Sequence, residues 1–152
     1  MRSLGMLLII AVLAVGCGST QTASTSIPNA TLNGCLSQQQ PTTPLKPGSL
    51  SLPGNHSGSD MIDHQQLAVG QMVEIRLGAN IRWAVSTIPS SALLQAQTPV
   101  GWYSQPDGMC VWRYIATGVG VTRIGFTGGL VCAPGSACPA IAEIAQFEFT
   151  IL

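Results

Sequence analysis

The sequence predicts an all-β protein, an antiparallel β-sandwich. Three observations carry that expectation. From Met61 to the C-terminus, short stretches alternate apolar and polar residues with a period of two. Turn residues separate these stretches at short intervals. Beyond the apolar N-terminus, no long stretch has the 3.6-residue periodicity of a helix.

Taken in order, "QMVEIRL" places Val73, Ile75 and Leu77 on one face and Met72, Glu74 and Arg76 on the other. A very short connection leads into "NIRWAVS", a second stretch rich in β-formers that carries Trp83. "SSALLQAQ", Ser90 to Gln97, is the one segment suited to a helical turn. "CVWRYIA" alternates Trp112 and Tyr114 with Val111, Arg113 and Ile115, and "TGVG" supplies a turn into "VTRIGF". "AQFEFTIL" closes the chain with Phe147, Phe149 and Ile151 on one face and Glu148 and Thr150 on the other. Trp83, Trp112, Phe147 and Phe149 are expected in the core, whereas Trp102 and Tyr103 are expected at the surface as a possible carbohydrate platform.

Residues 1–16 have the layout of a secretory signal: Arg2, an apolar run from Leu4 to Val15, then Gly16. The run is short of the about 20 apolar residues that span a bilayer. Ala14-Val15-Gly16-Cys17 resembles a bacterial lipobox, which predicts cleavage before Cys17 and lipidation of its thiol. Acyl chains contribute roughly 0.8 kcal/mol per buried CH₂, so two or three together anchor a protein at a membrane. The expected location is therefore the extracytoplasmic face of a bacterial cell membrane or envelope. Residues 17–59, rich in Ser, Thr, Gln and Pro, are expected to form a tether, and residues 60–152 the domain.

Of six basic residues Arg2 leaves with the signal, so five basic and six acidic side chains remain. With no basic stripe, nucleic acid is not an expected partner. Cys35, Cys110, Cys132 and Cys138 remain beyond Cys17, an even number that suggests disulfides with three possible pairings. The Pro-Gly turn in "APGSA" favours Cys132 with Cys138, and Cys35 with Cys110 would then follow. No metal is expected, because Cys-x5-Cys has no nearby histidine.

No cofactor and no catalytic activity are expected either. His56, His64, Asp60 and Asp63 lie together near serines, but no Gly-x-Ser-x-Gly elbow accompanies them. Gly118 and Gly120 begin a dinucleotide-like pattern in which Arg123 stands where the third glycine belongs, so a β-turn accounts for them.

From Leu67 to Leu152 the order of "LAVGQMVEIRL", Trp83, "WRYIATGVGVTRIGF" and "FEFTIL" resembles the framework of the chagasin family, immunoglobulin-like inhibitors of papain-type cysteine proteases. The resemblance implies an immunoglobulin-like sandwich with three loops at one end that enter a protease cleft. Asn80 matches the first residue of the family's Asn-Pro-Thr-Thr-Gly loop, but only Ile81 and Arg82 separate it from Trp83. The second loop falls in "YSQPDGMC", where Gly108 is the lone glycine. The third is replaced by Gly128 to Ala140, without the family's Arg-Pro-Trp. Candidate partner-binding residues are thus Asn80, Gly108, Ala133, Pro134, Gly135 and Ser136. The implied partner is a papain-type cysteine protease, and the alternative is a non-inhibitory surface binding or structural module on the same fold.

Overall fold

The computed structural model describes residues 34–54, 62–140 and 142–152. The lipobox with Cys17, and also His56 and Asp60, lie outside the described residues. The described chain is all strand: β1 (Leu50–Gly54), β2 (Ile62–Leu67), β3 (Met72–Gly78), β4 (Ile81–Thr87), β5 (Leu94–Ala96), β6 (Trp102–Ser104), β7 (Met109–Ala116), β8 (Gly120–Leu130) and β9 (Ala142–Ile151). One sheet has the order β1-β3-β7-β5, with β6 also on β7, and the other has the order β2-β9-β8-β4. The sheets are antiparallel except at two edges, where β1 runs parallel to β3 and β2 parallel to β9.

The alternating faces meet as expected. Val73, Ile75 and Leu77 of β3 and Trp112 and Tyr114 of β7 are buried against Phe126 of β8 and Phe147 and Phe149 of β9. The rings of Trp112 and Phe126 approach to 4.9 Å between centroids, and Phe126 meets Phe147 edge-on at 6.3 Å. Such pairs add to the burial of their area. Trp83 is buried too, and its Nε1–H donates to the Gly78 carbonyl at 2.9 Å. The segment Ser90 to Gln97 makes a single turn, with the Leu93 and Leu94 N–H groups donating to Ser90, and then becomes β5.

The expected tether differs most. Its later part lies on the first sheet: Leu50–Gly54 forms β1, residues 34–37 run beside β6 at the sheet's edge, and the chain from there to β1 crosses the outer face at Thr43, the whole segment 34–49 acting as a strap. Ser37 bridges Trp102, the Tyr103 N–H donates to Ser37, Gln71 donates to the Gly48 carbonyl, and Arg113 donates to the Thr43 carbonyl. Pro41, Pro44 and Pro47 lack the N–H that a ladder needs, so much of the strap is held by these side-chain and isolated contacts. The polar composition that argues for disorder is offset here by Leu52, which is buried in the core, and by a disulfide from Cys35 to Cys110.

The strap also overturns the expectation for Trp102. It is 4% exposed, beneath the strap, with the Arg113 guanidinium 5.2 Å from its ring centroid, and it offers no platform to a glycan. Tyr103 is half-buried against the core.

Candidate binding site at one end of the sandwich

Three connections gather at one end: β3–β4, β6–β7 and β8–β9. The register requires it. Gly78 pairs with Met109 in one sheet, and in the other Ile81 pairs with Leu130 and Gly129 with Ala142.

The β3–β4 connection, Ala79 and Asn80, crosses from one sheet to the other. Two residues suffice because the chain turns directly into the facing sheet, and Ala79 is small enough to sit 8% exposed at the corner. Its backbone ties the whole end together. The Ala79 N–H donates to Gly108 in the β6–β7 turn, the Ala79 carbonyl accepts from Gly34, and the Asn80 carbonyl accepts from Val131 at the root of the β8–β9 connection. Gly34 is pressed so close that a Cβ there would lie 1.9 Å from the Ile81 oxygen. Only glycine fits that approach.

The β6–β7 turn is Gln105-Pro106-Asp107-Gly108, all exposed. Gly108 has φ +63°, and its N–H closes the turn on the Ser104 carbonyl at 2.9 Å. The Ser104 hydroxyl donates to Asp107 at 3.0 Å and the Arg76 guanidinium donates to the same oxygen. Those two donors hold the Asp107 carboxyl below its usual range, the hydroxyl contributing most.

Between Leu130 and Ala142 the third connection is long and exposed from Ala133 to Ala140. Cys132 and Cys138 are joined, with Cα atoms 5.7 Å apart. Inside that ring the Ser136 N–H donates to Ala133, and Gly135, after Pro134, takes φ +81°, the arrangement of a type II turn.

The expected site residues therefore come together: Asn80, Gly108, Ala133, Pro134, Gly135 and Ser136 share one end, and each is exposed. Reading the sequence alone misses Ala79 and Gly34 as the tie points, and Asp107, whose Pro-Asp-Gly signature was a turn signal. It also misses Arg82. That exposed cation pairs in register with Gly129 and lines a cleft of about 370 Å³ with Leu130 and Cys132, beside the stapled connection.

His64 lies elsewhere, on β2, its Nδ1 3.0 Å from Glu148, while Asp63 accepts instead from Gln65. Among the described residues no group of three or more His, Cys, Asp or Glu is placed to hold a metal ion.

Solved structures similar to this chain in architecture include the cysteine protease inhibitor EhICP2 from Entamoeba histolytica, at 10% identity over 68% of this chain and 94% of that one with a TM-score of 0.45. Amebosin matches at 16% identity over 68% and 98%, with a TM-score of 0.42. PbICP-C, solved in complex with falcipain-2, matches at 17% identity over 68% and 100%, with a TM-score of 0.44. No protein-family model and no curated protein matches the chain.

Proposed function

We propose that this end of the sandwich binds and inhibits a papain-type cysteine protease by occlusion, and that the protein is a lipoprotein held through Cys17 at the extracytoplasmic face of a bacterial envelope. It acts as a binding protein and not as an enzyme. The observation that carries the reading is the convergence of the three connections, the longest of them closed by the Cys132–Cys138 bridge, on a corner whose backbone groups are hydrogen-bonded to one another. A surface already fixed loses little freedom on association, so its contacts translate into affinity. Occlusion requires only that such a surface fill the cleft without presenting a bond for cleavage. The framework resemblance from Leu67 to Leu152 supplies the protease class.

One observation favours the second reading, a non-inhibitory binding or structural module. Ala79 is buried and its N–H and carbonyl are already used, so the β3–β4 connection has little beyond the Asn80 side chain to place in a cleft. Titration of a papain-type protease with residues 18–152, both disulfides formed, separates the two. Inhibition with the chain left uncut is the expected result. Full protease activity at micromolar protein would leave the module. For the anchor, Cys17→Ser is expected to release the full-length protein from membranes into the soluble fraction, and an unchanged membrane fraction would remove lipidation from the reading.

A further inference from the structure

The two disulfides sit in opposite surroundings. Cys110 on β7 is fully buried, and Cys35 is packed against the core with it. Cys138, by contrast, is exposed and Cys132 half-buried. The chain between Cys132 and Cys138 also depends on its bridge for its shape. Among the described residues its one backbone hydrogen bond is that of the Ser136 N–H to Ala133, inside the ring, and the last bond tying this connection to the rest of the end is that of Val131 to Asn80. Around Cys35 the N–H groups of Gly34, Leu36 and Ser37 all donate to the domain.

The two sulfurs of the exposed bridge differ in their electrostatic surroundings. Cys132 lines one cleft with Arg82, an exposed cation that meets no carboxylate among the described residues. The Cys138 Sγ lies 3.6 Å from the Leu130 carbonyl oxygen. A cation stabilises a thiolate and a carbonyl oxygen opposes one, so negative charge is better borne at Cys132.

We propose that the Cys132–Cys138 bridge is a site of thiol–disulfide exchange, reduced by a dithiol while the sandwich stays folded, and that its reduction releases the β8–β9 connection. One thiolate of the dithiol attacks Sγ of Cys138, the exposed sulfur. The Cys132–Cys138 bond breaks as the new S–S bond forms, and Cys132 leaves as a thiolate beside Arg82. The second thiolate of the dithiol then attacks its own sulfur in the mixed disulfide, and Cys138 leaves and takes up a proton. Two electrons pass to the protein and the dithiol departs as a disulfide. Such exchange is governed by access and by the stability of the leaving thiolate, and exposed bridges are the labile ones. Residues Ala133 to Cys138 are all exposed and supply nothing to the core, so the sandwich survives the loss. Taken with the reading of this end as an inhibitory surface, on which this consequence rests, reduction lowers affinity for the protease, because a released loop must be ordered again on binding.

The test treats the protein, both bridges formed, with dithiothreitol at neutral pH without denaturant, quenches samples with iodoacetamide and locates the alkylated cysteines by mass. Cys132 and Cys138 are expected to be alkylated faster than Cys35 and Cys110 by on the order of tenfold or more. Arg82→Gln should slow their reduction severalfold, Arg82→Lys should restore it, and the difference should shrink in high salt. Proteinase K should cut between Cys132 and Cys138 only after reduction. Simultaneous loss of both bridges, or earlier loss of Cys35–Cys110, overturns the site. An unchanged rate in Arg82→Gln overturns the role of the cation, and unchanged cleavage after reduction overturns release of the loop. No papain-type protease enters these measurements, so their failure leaves the inhibitory reading standing, and failure of that reading leaves the exchange site.

Discussion

Each sheet carries on its outer face a glutamate shared between two basic side chains, and the two sets live in different surroundings. Glu74 on β3 accepts from Arg113 at 2.7 Å and 3.0 Å and from Arg76 at 2.9 Å, and is 2% exposed because the strap covers it. Glu148 on β9 accepts from Arg123 and lies 3.0 Å from His64 on a face that nothing in the described chain covers; the Arg123 and His64 side chains are 62% and 68% exposed. The same chemistry thus has two energetic weights. In water such a set is screened and contributes little. Under the strap, Glu74 is the carboxylate that balances the buried Arg113 guanidinium, and removing it leaves that charge uncompensated.

The largest effect expected from breaking this comparison is that of Glu74→Gln. It leaves Arg113 buried without its carboxylate and should cost about 3 to 5 kcal/mol, measurable by urea unfolding.

Next come the bridges, which separate the covered region from the loop end. By chain entropy, the Cys35–Cys110 bridge, spanning 75 residues, should be worth about 4 kcal/mol, and the Cys132–Cys138 bridge, spanning 6, about 2 kcal/mol. Paired Cys→Ser variants compared by denaturant midpoint check the order. Loss of the first should also increase proteolysis within residues 34–49, because it frees the strap. Equal midpoints for the two variants would mean that the strap holds without its bridge.

The smallest effect belongs to Glu148. Glu148→Gln should move the melting temperature by an amount close to experimental error at neutral pH and shrink further in high salt. Its signature is in acid. Arg123 above all, and His64 with it, hold the Glu148 carboxyl below its ordinary value. A carboxyl with a lowered folded value stabilises the fold above its unfolded pKa, near 4, and loses that contribution as pH falls through the folded value. Glu148→Gln should therefore flatten the fall in stability below about pH 4, and Asp107→Asn should do the same at the β6–β7 turn. An unchanged acid slope in both would show that neither pair forms in solution.

Much of the sandwich is legible in the sequence, and for a local reason. Alternation in "QMVEIRL", "CVWRYIA" and "AQFEFTIL" fixes which side chains face inward, since neighbouring residues of a strand must point to opposite faces. The loop end is legible as well: the Pro-Gly turn between Cys132 and Cys138 announces its own closure, and the gap of two residues between Asn80 and Trp83 announces a tight corner. What the same reading misplaces is Trp102. On an outer face an aromatic beside a polar turn is expected at the surface, and no neighbour in sequence indicates that residues near Ser37 return to cover it.

The sequence by itself therefore determined the strand faces, the aromatic core and the even set of cysteines beyond Cys17, because each depends on neighbours a few positions away or on simple counting. Only the tertiary structure decided that residues 34–49 form a strap, that Glu74, Arg113 and Trp102 are buried with it in place, and that Ala79 and Asn80 together tie three connections into one surface. Those outcomes rest on contacts between residues distant in sequence, from Ala79 with Gly108 and Gly34 with Ala79 to Thr43 with Arg113, 70 positions apart, and Cys35 with Cys110, 75 apart. Burial at that range is a property of how the sheets and the strap pack, and a period-two pattern carries no record of it.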